Sequence, residues 1–60
     1  MLKTIIKYPN YWEEAYEWAC QRAREEGDVD IDHDYEIIEA WQEKHYEWIC
    51  NDEGVEPYEQ

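Results

Sequence analysis

The chain alternates apolar and polar positions with two different periods. Over Tyr35 to Cys50, YEIIEAWQEKHYEWIC, the positions Ile37, Ile38, Trp41, His45, Trp48 and Ile49 recur at helical spacing, while Glu36, Glu39, Glu43 and Glu47 fall on the opposite side. An apolar stripe backed by an acidic one predicts an amphipathic helix over about residues 35–52. Asp32 or Asp34 is placed to cap its start, and Gly54, with Pro57 beyond, marks its end. Residues 54–60, GVEPYEQ, read as a frayed tail.

A second helical pattern runs over about residues 11–26, from YWEEAYEW to AREE. Asn10 is the expected N-cap, Glu13 stands at the capping-box position, and Glu14 suits the positive end of the helix dipole. Gly27 closes the helix, and Arg22 and Arg24 lie near its negative end. Trp12, Ala15, Tyr16, Ala19 and Ala23 form a narrow stripe whose alanines allow another helix to approach closely. Tyr11 and Trp18 share a flank that a simple two-helix contact leaves exposed, which marks it as a second interface.

Before Pro9, residues 2–8, LKTIIKY, alternate with period two and carry β-branched residues, the signature of a strand. Leu2, Thr4, Ile6 and Tyr8 fall on one side, with Ile5 on the other between Lys3 and Lys7. A lone strand leaves its backbone groups unpaired, so a partner strand is expected. The nearest candidates are the same strand of a second copy, or Val29 to Asp32 in the connector at 27–34, GDVDIDHD. The resulting expectation is a single, mainly α domain. A helical hairpin follows one short N-terminal strand, and two chains intertwine as a homodimer with a four-helix core. Trp12, Ile37, Ile38, Trp41, Trp48 and Ile49 are expected inside. The pentapeptides Tyr16-Glu17-Trp18-Ala19-Cys20 and Tyr46-Glu47-Trp48-Ile49-Cys50 match at four of five positions, which by itself establishes no repeat architecture.

Composition sharpens this picture. A chain of 60 residues buries only about 60% of its unfolded surface, and 4 Trp and 6 Tyr are a heavy aromatic load for it. A dimer or another partner is the expected cover. The net charge of −12 argues against direct nucleic-acid binding, which needs a basic footprint, and suits a basic protein partner or mimicry of a nucleic acid. Solubility alone is the plainer account. No run approaches the ~20 apolar residues of a membrane span. The opening LKTII is too short for an export signal, so the cytoplasm is the expected location and Cys20 and Cys50 are expected as thiols. Both fall near helix C-termini, hence at opposite ends of a hairpin, beyond reach of a bridge.

The chemistry on offer is thin. There is no serine, the single threonine lies in the predicted strand, and two glycines form no phosphate loop. Carboxylate pairs carry no information among 17 acidic residues. No enzyme and no cofactor are expected. Asp28, Asp30, Asp32 and Glu39 match the first, third, fifth and twelfth positions of an EF-hand calcium loop, but His33 replaces the sixth-position glycine. An acidic connector containing a helix cap accounts for the same residues. His45, among Trp41, Trp48 and Ile49, is either a pH-sensitive group or a boundary histidine with one nitrogen in water.

The opening MLKTIIKYPNYWEEAYEW and the segment DYEIIEAWQEKHYEWIC resemble the small early proteins of lambda-like temperate phages, those encoded between the exonuclease and excisionase genes. The resemblance implies a dimeric protein made early in infection, in the host cytoplasm, that biases the phage towards lysis by acting on host processes. It carries no catalytic residues over. Two functions follow as expectations. One is capture of a host protein through an apolar cleft between the helices, with Tyr11 and Trp18 as anchors and Trp41 and Trp48 as further contacts. The other is an acidic nucleic-acid mimic using Glu13, Glu14, Glu17, Glu36, Glu39, Glu43 and Glu47 to block a DNA-binding protein.

Overall fold

The computed structural model describes residues 5–59. Its elements, in order, are strand β1 (Ile5–Ile6), helix α1 (Pro9–Glu26), helix α2 (Tyr35–Glu53) and strand β2 (Tyr58–Glu59). The two helices form the expected hairpin, with a short strand pair beside it.

Helix α1 starts earlier than the Asn10 cap predicts. Pro9 takes the first helical position, where its fixed φ suits a helix and its missing N–H would have had no partner. Tyr8 precedes it with extended backbone, its carbonyl accepting from the Trp12 N–H at 3.1 Å, and no side chain caps the end. The far end follows expectation: Gly27, at φ 74°, adopts the left-handed conformation and donates its N–H to the Ala23 carbonyl.

Asp34 precedes α2, but its carboxylate does not cap the helix; it accepts the Asp30 N–H at 3.0 Å across the connector. The C-terminus of α2 closes in a Schellman arrangement. Gly54, also at φ 74°, donates to the Asn51 carbonyl, and the Val55 N–H reaches Cys50 at 2.9 Å. That turn redirects the chain, so the expected frayed tail is instead folded back. Val55 packs against the core and Tyr58–Glu59 pairs antiparallel with β1, Ile6 opposite Tyr58 and Ile5 opposite Glu59. Within the chain, the partner of β1 is thus β2 and not the connector. Leu2 and Thr4 lie outside the described residues.

The contact between the helices is made by Ala15, Ala19 and Ala23 on α1, each at most 1% exposed, against Ile38, Gln42, Tyr46 and Cys50 on α2. The alanine stripe is as predicted. The α2 stripe is not. It is turned by about a quarter-turn from the expected one, leaving Trp48 61% and Ile37 42% exposed, with Trp41, His45 and Ile49 half-buried. Two polar side chains explain the rotation. The Gln42 amide donates to the Trp12 carbonyl at 3.0 Å. The Tyr46 hydroxyl accepts the Tyr8 N–H at 3.1 Å and donates to the Pro57 carbonyl, which also takes the Lys7 N–H at 3.1 Å. With those partners both groups are buried without an orphaned hydrogen bond, and Tyr46 ties both chain ends to the middle of α2. Burial raises its hydroxyl pKa, keeping it a neutral donor.

Two clusters result. Near the chain ends, Ala15, Tyr46 and Cys50 gather Ile6, Tyr8, Tyr11, Trp12, Ile49, Val55 and Tyr58; near the connector, Ala19, Ala23 and Ile38 gather Cys20, Val29, Ile31 and Trp41. Cys20 and Cys50 are free thiols in different clusters. The described chain measures 34 × 28 × 14 Å. Its smallest dimension is little more than one helix diameter with side chains, about 10–12 Å. The helix pair therefore has two broad faces that nothing else among the described residues covers.

Candidate protein-interaction surface

One face is built from a turn-by-turn register on each helix. On α1, Glu14, Trp18 and Arg22 are spaced by four; on α2, Trp41 and His45 are spaced by four, and Trp48 follows three later. Such spacings stack side chains along one side of a helix. Because the helices run antiparallel, the two rows interleave. The Trp18 and His45 rings lie 4.2 Å apart and only 4° from parallel, and His45 stacks on Trp48 at 5.4 Å and 17°. On the other side of Trp18, the Arg22 guanidinium sits 5.5 Å from that ring and 4.5 Å from Trp41. The order Trp41, Arg22, Trp18, His45, Trp48 forms one continuous column across both helices.

Each link has a physical cause. Indoles attract a guanidinium through the negative ring face, worth about 0.5–1 kcal/mol per exposed contact, and flat rings stack with neutral imidazole. Burial lowers the His45 pKa, and nearby Glu14 only partly opposes this, so the imidazole is favoured neutral. Arg22 is held from behind by Glu26 at 3.7 Å. The end of the column is open: Trp48 is 61% and Trp18 37% exposed. A shallow groove of about 500 Å³ runs beside them, lined by Trp18, Lys44, His45, Glu47, Trp48 and Asn51. The opposite face carries a smaller groove of about 210 Å³ lined by Trp12, Tyr16, Ile31, Tyr35, Ile38, Glu39 and Gln42.

Three of the four expected partner-binding residues, Trp18, Trp41 and Trp48, are thus brought together. Tyr11 is not with them. It stacks on Tyr8 at 5.3 Å in the cluster at the chain ends, where Glu53 raises its pKa. The cleft expected between the helices is filled by alanines and Tyr46, so the aromatic surface lies on a face of the hairpin. The glutamates expected to act together, Glu13, Glu14, Glu17, Glu36, Glu39, Glu43 and Glu47, are all exposed but serve different surroundings. Glu14 adjoins His45, Glu39 lines the opposite groove, and Glu47 accepts from the Tyr58 hydroxyl at 3.4 Å.

In the connector, the Asp32 N–H bonds to the Asp30 carboxylate at 2.9 Å, and the Asp34 backbone N–H to the Asp30 carbonyl. These are local turn bonds. His33 keeps a negative φ, so the loop lacks the left-handed turn of an EF-hand. Among the described residues no three His, Cys, Asp or Glu side chains gather to hold a metal ion, so Asp28, Asp30, Asp32 and Glu39 are not assembled as ligands. The same residues contain no helix long and apolar enough to cross a membrane.

Arg22 is the participant that sequence reasoning placed only as a helix-end charge. Its signal was present: it lies four residues after Trp18 on the flank already identified as uncovered. Comparisons with protein-family models, with curated proteins and with solved structures found no match.

Proposed function

We propose that this chain is a non-catalytic interaction protein whose partner-binding surface is the column from Trp41 to Trp48. The observation that carries the reading is a pair of large indoles, Trp18 and Trp48, left open to solvent on a preformed stack rather than folded into the core. Exposed aromatic clusters of this kind supply the anchor residues of protein interfaces. Stacking holds the rings in place before binding, which lowers the entropy lost on association. The resemblance to early phage proteins makes the partner a host protein in the cytoplasm and the outcome a bias towards lytic development. The proposal extends to a homodimer formed through the opposite face, where Trp12, Tyr16, Tyr35 and Ile38 stand around the smaller groove; this would leave the column free.

The test is affinity capture from bacterial lysate with tagged wild-type, Trp18→Ala and Trp48→Ala proteins, washed at low and high salt. Retention through high salt by wild type, with loss in both variants, supports the reading. Equal capture by all three overturns it. Nucleic-acid mimicry is a second reading, favoured by one observation. Among the described residues Arg22–Glu26 is the one ion pair involving a permanent cation, so most carboxylates of the −12 chain are uncompensated. A DNA-binding protein that is held at low salt and released at high salt would support it.

A further inference from the structure

We infer that the outer face of Trp48 is a docking site for an arginine side chain carried by a basic segment of a protein partner. The inference rests on the interaction reading above and adds the chemistry of the partner. Its first support lies within the column itself. Arg22 already lies between two indoles, 4.5 Å from Trp41 and 5.5 Å from Trp18, so a guanidinium is a member this stack accepts. Trp48 ends the same stack, with one side against His45 and 61% of its surface open.

Charge is the second support. Glu47 lines the groove beside Trp48, Glu14 stands close enough to act on His45, and Asp52 lies one turn along α2 from Trp48. Lys44 is the one cation lining that groove, in a chain of net charge −12. A basic segment meets a complementary field there, while a second copy would bring the same carboxylates to the same tryptophan. The choice of arginine over lysine follows from the ring geometry. A planar, weakly hydrated guanidinium stacks flat on indole and still donates to a carboxylate, whereas an ammonium remains a hydrated point charge. The groove, about 500 Å³, accommodates such a side chain.

The experiment compares two dye-labelled synthetic peptides of equal length and charge, one with arginines separated by glycines and one with lysines at the same places. Binding to the full chain is read by fluorescence anisotropy at physiological salt. The arginine peptide is expected to bind roughly threefold more tightly for one stacked guanidinium. That preference should vanish in Trp48→Ala and persist, reduced, in Trp48→Phe. Far-UV circular dichroism checks that the variants are folded. In the wild type, the arginine peptide should also shift the Trp48 indole N–H resonance more than it shifts Trp41, a readout that needs no variant. Equal affinity for the two peptides, an arginine preference unchanged in Trp48→Ala, or an unmoved Trp48 resonance each overturns the inference. If lysate capture depends on Trp48 while the peptides are not discriminated, the arginine inference fails and the interaction reading stands.

Discussion

Two pentapeptides of this chain, Tyr16-Glu17-Trp18-Ala19-Cys20 and Tyr46-Glu47-Trp48-Ile49-Cys50, differ at one position and have opposite fates. Tyr46 and Cys50 are fully buried; Tyr16 is 46% exposed and Cys20 half-buried. Their tryptophans agree, both facing solvent on either side of His45. Local sequence therefore does not decide which tyrosine enters the core. Tyr46 lies opposite the chain ends, where the Tyr8 N–H and the Pro57 carbonyl meet its hydroxyl. Tyr16 lies beside the connector, on the rim of an open groove. Two distant backbone groups satisfy the Tyr46 hydroxyl and let it enter the core, whereas the Tyr16 hydroxyl meets only the Cys20 thiol on its own helix.

The sharpest way to break this comparison is to remove each tyrosine. Tyr46→Ala should lose about 3–5 kcal/mol, as large aromatic truncations in a core do, enough to unfold a chain this small in a thermal melt. Tyr16→Ala should leave the melting temperature close to wild type. Exchanging the differing position comes next. Ala19→Ile makes the pentapeptides identical, but Ala19 is wholly buried against α2; overpacking should cost about 1–3 kcal/mol, measured by urea denaturation. Tyr46→Phe keeps the ring and deletes the hydroxyl, leaving the Tyr8 N–H unpaired. It should cost about 1–2 kcal/mol and speed amide exchange at Tyr8 and Lys7, where Tyr16→Phe should change neither.

Smaller effects concern the thiols and the histidine. Burial raises the Cys50 pKa and shields its sulfur, so iodoacetamide should modify Cys20 well before Cys50 in the native protein and both alike in urea. Equal native rates would mean the cluster at the chain ends opens freely. For His45, burial holds the folded pKa below the ordinary value of about 6.5. The unfolded chain then binds a proton more readily than the fold. Its contribution is neutral above that value, and stability falls as pH drops from there towards the folded pKa. A shallow loss of melting temperature below neutrality, absent in His45→Gln, is the expected outcome.

Much of the architecture was legible in the sequence because it follows from local rules. The helical periods, the glycines ending both helices, the alanine stripe and the N-terminal strand each follow from conformational preferences within a few residues. Trp18 was legible as a surface candidate for the same reason, whereas Trp41 and Trp48, on the apolar stripe of α2, read as core. What only the tertiary structure decided depends on groups far apart in the chain. The Pro57 carbonyl and the Tyr8 N–H bury Tyr46, and the Trp12 carbonyl buries Gln42; together they rotate α2 and turn its tryptophans outward. The return of the tail gives β1 a partner strand from the far end of its own chain. Apolar patterning ranks side chains by how poorly they interact with water. It carries no information about which distant backbone group will satisfy a polar one, and in a core of this size two such bonds were enough to choose the face.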